Sequence, residues 1–596
     1  MTYGINKQQD FYNYFFELKY DFELNNNHKF EILTNYYGNT LKNKVAINRD
    51  DLYNQFNYYL KLNNNFNLLT QTEIKKVNYP GSLILSNIDR YNLKFGIKYN
   101  DNSNNLIFVV GPENNNQDSY LSNGIISNFF YENQNINLKN LSIKIKTYNE
   151  FLSLDRERNN INLNFLTNAF QYFNDTDNLN FDIMYKFSNR YNLYRRDLNY
   201  ITQNNLDFDY NIEKRMNNFL RSSVIFNQKI LENLYTFLEF GLDKNLVNLS
   251  YNEFVKNDYK TGITQIRDNV KYLLNSSLTY NEKIVQNILK INYYNEIDNY
   301  SIETINSIPI DEKNKFQNQA FDMNLNQSNL NIQNIFSMNI SINDSINIIT
   351  NSNISRLDTP SPRNNSERDE LIHILSLNYY RKINYNLKFQ LTGDYQYYHL
   401  VNLKSQLSSS NYSMRNFRII TNFNYKTNEL FLRPSFLINA NYTVYDFENL
   451  YDSPRSFSIR QLGYSDSINI KVVKNIYLIY LIDMLYKETG ILYWNEFSEF
   501  PLNSNVKYFL RSYINYNTDD FQLFTGFRYY NIKQKNLSKI YGLEYSNLSI
   551  APEVTFSLNL NSNFNIFFNG WYEYQFINNT LINKIPNFFL KTSFKL

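Results

Sequence analysis

Apolar and polar residues alternate one by one along most of the chain. From Tyr12 to Leu24 every even position is apolar, and the odd positions are polar except for Phe15. The same two-residue period returns at residues 91–99 and 179–187, and it continues to the C-terminal end of the sequence. Such a period places apolar and polar side chains on opposite faces of an extended strand. The pattern therefore predicts an all-β protein.

The length of the alternating stretches indicates where these strands lie. They run over about 9 to 15 residues, whereas strands of soluble sheets have about 5 or 6 and a tilted membrane-crossing strand needs about 9 to 11. A membrane-crossing helix would need about 20 consecutive apolar residues. The longest apolar run, residues 476–485, is about half that length and contains Asp483. The sequence thus favours membrane strands over membrane helices.

Short and long connections between the alternating stretches follow one another in turn. The short ones are rich in Asn and Asp, which tolerate positive φ. They are Asn25–Lys29, Asn63–Asn65, Asp175–Asp177, Asn281–Lys283, Asn343–Asp344, Arg381–Ile383, Lys426–Glu429, Val473–Asn475, Asn517–Asp520 and Asn561–Asn563. The long ones are 295–329, 355–370, 400–416, 445–465, 487–505, 532–549 and 577–587, and residues 100–134 and 205–267 blur the rhythm. This asymmetry predicts a single antiparallel up-and-down transmembrane β-barrel with short periplasmic turns and long external loops.

The number of strands follows from the same reading. It gives about 29 strands, and we expect 26 to 30, because bacterial single-chain barrels have an even number. Pro434 and Pro552 fall inside predicted strands, where proline removes a hydrogen-bond donor, and they argue against the local boundaries. The opening residues contain no signal peptide. We therefore expect residues 1–596 to form one barrel that lacks its native N-terminus, namely a signal peptide and either a first strand or a periplasmic domain.

Composition removes several other classes of protein. The 596 residues are 43% hydrophobic and 17% aromatic, which excludes general disorder. The net charge of +3 comes without long runs of one sign, so no nucleic-acid partner is indicated. The chain has no Cys and therefore no disulfide or thiolate metal site. Aromatic clusters at 395–398 and 571–574 are expected in the interfacial girdle of a membrane barrel.

The end of the chain carries a more specific signal. Apolar and small residues on one parity alternate with polar residues on the other. They are Phe588, Leu590, Thr592, Phe594 and Leu596. This segment resembles the C-terminal strand of bacterial outer-membrane β-barrel proteins, which the barrel-insertion machinery recognises, although those chains often end in Phe or Trp. The Asn- and Tyr-rich style is similar to that of large Bacteroidota-type barrels. The resemblance implies the bacterial outer membrane as location, with outer-membrane lipid and the barrel-assembly machinery as partners; an ordinary edge strand is the alternative.

Charged and aromatic residues in the connections are the candidate functional residues. A loop folded into the lumen could use its charges as a selectivity constriction, while the simpler interpretation is a solvated external loop. The charges in question are Arg190, Arg195, Arg196, Arg363 and Arg368. The segment 487–505 is unusually apolar, and Trp494, Phe497 and Phe500 are expected to pack over the barrel mouth or bind a partner.

Evidence for catalysis is poor. The three histidines, His28, His373 and His399, have no metal-ligand spacing with other ligand residues, and no phosphate-binding glycine motif occurs. The sequence therefore predicts no enzyme, no cofactor and no metal site.

Three functions remain open on these grounds. The first is a pore or transport conduit, although a barrel wider than 16 to 18 strands must be plugged, lined by loops or filled by a partner. The second is the barrel part of a larger envelope machine, such as a lipopolysaccharide-assembly protein, a secretion translocon or a TonB-dependent transporter, with a periplasmic or plug partner. The third is a soluble Asn-rich β adhesin or structural protein, which the irregular spacing disfavours.

Overall fold

The structure is a computed structural model in which strands predominate. It describes residues 2–8, 11–42, 46–78, 88–117, 120–155, 158–174, 176–195, 210–255, 258–304, 310–448, 455–538, 544–561 and 564–594. Among these residues the main helix is α1 (Ile310–Asp322). Neither α1 nor any other described helix is long and apolar enough to cross a membrane.

The first half of the chain forms fifteen strands, most of them longer than the alternating stretches suggested. They are β1 (Thr2–Gln8), β2 (Phe11–Asn25), β3 (His28–Lys42), β4 (Ala46–Lys61), β5 (Phe66–Asn78), β6 (Ile88–Asn100), β7 (Asn104–Gln117), β8 (Tyr120–Leu138), β9 (Leu141–Leu154), β10 (Arg158–Tyr172), β11 (Asn178–Arg195), β12 (Tyr210–Leu231), β13 (Leu234–Val255), β14 (Asp258–Asn281) and β15 (Val285–Thr304). The expected range of 9 to 15 residues is too short, since β14 has 24. The strands continue past the apolar band into segments with the same parity but more polar residues.

The second half adds fourteen segments. They are β16 (Leu325–Asn339), β17 (Asp344–Asp358), β18 (Arg368–Lys382), β19 (Leu387–Asn402), β20 (Tyr412–Lys426), β21 (Leu430–Leu432), β22 (Ser435–Tyr445), β23 (Phe457–Val473), β24 (Ile476–Tyr493), β25 (Ser498–Asn517), β26 (Phe521–Asn536), β27 (Glu544–Asn561), β28 (Phe564–Ile577) and β29 (Thr580–Phe594). Segments β21 and β22 both pair with β20 and β23, so they are two halves of one strand.

The strands form one closed antiparallel ring. Each strand pairs with its neighbours in sequence, and β1 pairs with both β2 and β29. With β21 and β22 counted once, the barrel has 28 strands, which lies within the expected 26 to 30 and is even. The fold prediction is confirmed. What precedes Met1 stays a prediction.

The two prolines act differently on the ladder. Pro434 separates β21 from β22, and the backbone N–H of Arg433 donates both to the Ser467 carbonyl and to the Asp466 carboxylate, each at 3.1 Å. Pro552, in contrast, lies inside β27 opposite Phe527, although pairing with β28 skips residues 551 and 552. The prediction that a proline disagrees with the local strand boundary is therefore right at Pro434 and wrong at Pro552.

Connections at one end of the barrel are uniformly tight turns. They follow the even-numbered strands up to β20, and after the interrupted strand they follow β23, β25 and β27. In one of them, the Asp101 carboxylate accepts hydrogen bonds from the Tyr99 hydroxyl and from the backbone N–H groups of Ser103 and Asn104. These bonds lower the pKa of Asp101 to about 2. The predicted short-turn end is confirmed.

Two predicted long connections at the opposite end are strand in the described residues. The prediction of a long connection at 577–587 is wrong, because β28 and β29 meet in a two-residue turn at Asn578 and Asn579, both with positive φ. The long segment 487–505 is also strand except for the short helical turn Trp494–Glu496 and Phe497. Genuine long connections lie after β15, β17, β19 and β22. In these hairpins the strands continue through polar residues. Such polar stretches look like loops in the sequence.

The two faces of the sheet differ as the alternation requires. On β18 and β20 the apolar residues Leu375, Leu377, Phe417 and Ile419 are exposed on one face, and Arg418 lies on the other. The apolar face of a closed barrel contacts lipid, so the Asn-rich face lines the lumen. The position of Trp571 corrects the girdle prediction. It shares the lumenal face with Glu553, whereas Tyr572 is on the lipid face.

Strands β6 and β7 approach each other closely at two glycines. Here Gly96 and Gly111 lie on the lumenal face of neighbouring strands, and a Cβ on either would lie 1.8 Å from a carbonyl oxygen of the other strand. Farther along, Ile126, Leu152 and Leu154 form a buried apolar cluster on the same face. These three side chains are therefore shielded from water although they lie on the lumenal face.

Candidate functional site: the lumenal wall

A carboxylate enclosed by two arginines marks the wall near the C-terminal end. Arg511 on β25 lies opposite Arg528 on β26, and Glu553 follows on β27. Glu553 accepts hydrogen bonds from both guanidinium groups, with Nη2 of Arg511 at 2.6 Å and Nε of Arg528 at 2.6 Å. Tyr513 donates its hydroxyl at 2.6 Å. The result is a network with one net positive charge, in which Glu553 is only 1% exposed.

Aromatic rings hold the two guanidinium groups in place. The Arg528 guanidinium lies 4.2 Å from the Trp571 ring centroid, and that of Arg511 lies 4.7 Å from the Tyr513 ring. Cation–π contacts of this kind add to the ion pairs where water is partly excluded. We call Arg511, Tyr513, Arg528, Glu553 and Trp571 the Glu553 network.

A second ionic network covers the lumenal wall of β5 to β9. Arg90 lies 2.7 Å from Glu113 and 3.7 Å from Glu150, and Lys94 lies 3.0 Å from Glu73. Glu73, Arg90, Lys94 and Glu113 lie on paired strands, whereas Glu150 lies on β9, three strands from Arg90. The wall is therefore charged and hydrogen-bonded rather than lined by amides alone.

Three cavities open on the lumenal face. One of about 720 Å³ at β8 to β12 is lined by compensated charges, including Lys146 paired with Glu132 and Arg221 paired with Asp243. The other two lie at the tight-turn end. The first, of about 440 Å³, contains Lys29, Lys61 and Lys98 together with Glu23 and Glu31, and the second, of about 800 Å³, contains Lys382, Lys388 and Lys426. Cavities of 300 to 1,000 Å³ suit small ligands.

Two long connections pack together at the other end. Asp322, the last residue of α1, accepts hydrogen bonds from the Ser361 hydroxyl and from Nε of Arg363 at 3.2 Å. The Asn364 side chain donates to the Asp322 carbonyl at 2.7 Å. Ser361 and Ala320 are buried beneath these contacts. Asp322 thus joins the β15–β16 and β17–β18 connections into one unit.

Replacing Asp322 by Ala should separate these connections. Both Ser361 and Arg363 would lose their shared acceptor, which costs about 1 to 3 kcal/mol for a charged hydrogen bond. We expect faster proteolysis at residues 310–367 in folded protein, with the unfolding midpoint of the barrel unchanged. Asp311→Ala, at the other end of α1, is the matched control. Equal protease resistance of both variants would contradict the role of Asp322.

The apolar segment after β24 packs sideways onto neighbouring strands. Trp494 lies 6.2 Å from Tyr442 and 5.8 Å from Phe497 between ring centroids, and the Arg415 guanidinium lies 4.6 Å from the Trp494 ring. Arg415 and Tyr442 lie opposite each other on the lipid-facing parity. Phe500 is about half exposed. These contacts place Trp494 and Phe497 at the outer rim, and packing over the mouth stays a prediction.

The predicted charged residues whose side chains are described lie on different elements of the barrel. Arg190 lies on β11 opposite Arg215, at lumenal parity, and Arg368 pairs with Glu370 at 2.6 Å. Arg363 bonds Asp322 in the connection described above. The side chain of Arg195, and Arg196 altogether, lie outside the described residues. A selectivity role for these residues stays a prediction.

The predicted insertion signal lies where its parity requires. Phe588, Leu590 and Thr592 pair with lipid-facing positions of β1, and Phe594 is exposed on the same face. Leu596 lies outside the described residues. Recognition of this strand by assembly machinery is not tested by the placement.

Each histidine ring contacts one polar side chain in the part of the chain that the structure describes. His28 contacts the Tyr58 hydroxyl at 2.7 Å, His373 contacts Ser352 at 2.8 Å, and His399 contacts Asp446 at 2.9 Å. Within the described ranges, no three His, Asp or Glu side chains are grouped so that they could hold a metal ion.

Comparison with known proteins finds similarity to solved structures of barrels. No protein-family model and no curated protein matches the chain. Among solved structures, it is similar to the siderophore receptor PirA from Pseudomonas aeruginosa, with 7% identity over 89% of this chain and 86% of that chain and a TM-score of 0.34. It is also similar to the copper transporter OprC, with 8% identity, coverage of 88% and 85% and a TM-score of 0.39. The FrpB iron transporter from Neisseria meningitidis gives 8% identity, 83% coverage of each chain and 0.38.

The class of the protein follows from its own architecture. A closed antiparallel ring with an apolar outer face, a polar lumenal face and one end of tight turns is an outer-membrane β-barrel. Its 28 strands make it one of the large barrels of the bacterial outer membrane.

Proposed function

We propose that the protein is a transport conduit of the bacterial outer membrane rather than a plain open porin. The main support for this proposal is the size of the closed ring. With strands about 4.8 Å apart and tilted about 40°, 28 strands make a ring roughly 55 Å across if circular. Barrels of 16 to 18 strands already leave an aqueous channel, and 22-stranded transporters have a plugged lumen. A ring this wide, left open, would abolish the barrier that the membrane provides.

A plug or periplasmic partner is part of this proposal. The charged networks and open cavities of the lumenal wall offer polar contacts to such a partner. Barrel parts of lipopolysaccharide-assembly proteins, secretion translocons and TonB-dependent transporters are the classes that combine a large barrel with a second component. We also propose that the protein is not an enzyme, because each histidine is engaged by one local partner.

Single-channel conductance in planar bilayers tests the conduit. We expect purified barrel to be silent or to open only briefly in the presence of its plug or partner, and to show large discrete steps once that component is removed by urea. Sustained large steps from the untreated protein would instead establish an open pore. A product that stays soluble without detergent would overturn the membrane assignment. Heat-modifiable migration in gels verifies that the barrel is folded in each sample.

A further inference from the structure

Three lysines converge on one cavity at the tight-turn end of the lumen. Lys382 lies at the end of β18, Lys388 at the start of β19 and Lys426 at the end of β20. Their cavity has a volume of about 800 Å³. The other lining residues are Tyr380, Tyr385, Asn386, Asn424, Thr427, Asn428 and Phe431. We call this cavity the lysine pocket.

The register places like charges face to face. Lys382 is directly opposite Lys388, and Lys388 is in turn opposite Asn424, two residues from Lys426. Like charges directly opposite each other destabilise a sheet. All three lysines are exposed, and none forms an ion pair with any residue in the described part of the chain. The arrangement therefore carries three uncompensated positive charges.

Carboxylates near the lysine pocket include Glu429, which follows the lining residue Asn428, and Asp344. None is among the lining residues, all of which lie in the continuously described stretch 310–448. Asp344, at the adjacent turn, is on the lipid-facing side and accepts a hydrogen bond from the Tyr379 hydroxyl at 2.7 Å. Arg381 approaches the same carboxylate at 3.7 Å. Asp344 is therefore already engaged on the other face of the sheet.

A second cavity at the same end, lined by residues of β2 to β6, holds lysines that are largely compensated. It also contains three lysines, but Glu23 and Glu31 lie among them. Lys29 is 2.9 Å from Glu31, and the Tyr59 hydroxyl donates to the same carboxylate at 2.8 Å. Three ammonium groups and two carboxylates leave that cavity one net positive charge, whereas the lysine pocket keeps three.

We infer that the lysine pocket is a binding site for a small polyanion that bears several phosphate or carboxylate groups. Its volume suits a small molecule. Three ammonium groups on three adjacent strands match separated anionic groups, and the side-chain amides of Asn386, Asn424 and Asn428 can donate further hydrogen bonds. The site goes beyond the proposed conduit and does not require the barrel to conduct.

Calorimetric titration of the intact barrel in nonionic detergent tests the site. The probes are tripolyphosphate and citrate, with neutral maltotriose as the reference, at low salt. We expect saturable binding of at least one anion and none of maltotriose, weakened by added salt because exposed charges are screened. Lys388→Gln should weaken binding about tenfold, as expected for the loss of one charge-assisted hydrogen bond. Lys388→Arg should retain binding within about threefold.

Lys61→Gln is the matched control, because it removes a lysine from the compensated cavity at the same barrel end. We expect its affinity for the anion to equal that of the parent protein. Absence of saturable binding to the parent protein, or equal weakening by Lys61→Gln and Lys388→Gln, would overturn the proposal. Heat-modifiable migration confirms that each variant is folded. Since binding is measured in solution, failure here is distinct from failure of the conduit in the conductance experiment.

Discussion

Glu553→Ala is expected to cost about 3 kcal/mol of unfolding free energy, at the lower end of the range for breaking a buried ion pair. The substitution leaves Arg511 and Arg528 directly opposite each other without their carboxylate. Both arginines keep about a quarter of their side chains exposed to the lumen, which limits the loss. Urea unfolding in detergent, followed by tryptophan fluorescence, measures the change. Trp571 stacks on Arg528 and should also shift its emission in the folded variant.

Glu544→Ala serves as the control for this experiment. Glu544 lies on the same strand, β27, and its contact with Lys535 is 3.7 Å long and largely exposed. Exposed pairs contribute about 0 to 1 kcal/mol, so this variant should unfold near the parent midpoint. Equal midpoints for the two alanine variants would show that the Glu553 network does not stabilise the barrel.

Gly111→Ala is expected to destabilise the barrel by 3 kcal/mol or more, or to prevent its assembly. The added methyl would lie 1.8 Å from the carbonyl oxygen of Leu93, and that atom is backbone and cannot rotate away. Forcing extra methyl groups into packed sites costs about 1 to 3 kcal/mol even where side chains can adjust. The yield of heat-modifiable barrel after refolding, together with its urea midpoint, measures the effect.

Gly393→Ala is the matched control, and we expect it not to destabilise the barrel. A Cβ at this lipid-facing glycine meets nothing within 4 Å. Since alanine restricts the unfolded chain more than glycine does, the change should be neutral or stabilising by up to about 1 kcal/mol. If both substitutions reduced folding alike, the close approach of β6 and β7 would not be what requires glycine at position 111.

The sequence could predict the barrel because its signal is local and repeated. The alternation from Tyr12 to Leu24 corresponds to β2, and the turn at Asn63–Asn65 lies between β4 and β5. Where the signal failed, the cause was chemical similarity between loop and extended hairpin. Residues 577–587 are as polar as a loop, yet they extend β28 and β29 with a register shift between Gln575 and Phe576. Similarly, β1 precedes the first stretch that alternation identified.

The lumenal networks could not be found from the sequence because they depend on register. Glu553 is 42 residues from Arg511, and they meet only because two successive hairpins have a particular alignment. A slip of one residue would turn Glu553 to the lipid face. A partial signal was present, since Arg511 and Glu553 occupy the polar parity of their strands. The lysine pocket carried a weaker signal, since Lys382 lies within the predicted turn Arg381–Ile383 and Lys388 follows that turn closely.

Closure of the ring between β1 and β29 also bears on how the barrel forms. Six register pairs join these strands, from Thr2 with Ser593 to Lys7 with Phe588, whereas β2 and β3 share more than twice as many. These six pairs join residues from opposite ends of the described chain, so their separation in sequence is the largest of any strand pair. Because closing so long a segment costs much chain entropy, the pairing is expected to form slowly. We expect this seam to be the last ladder to form and the first to exchange its amide hydrogens.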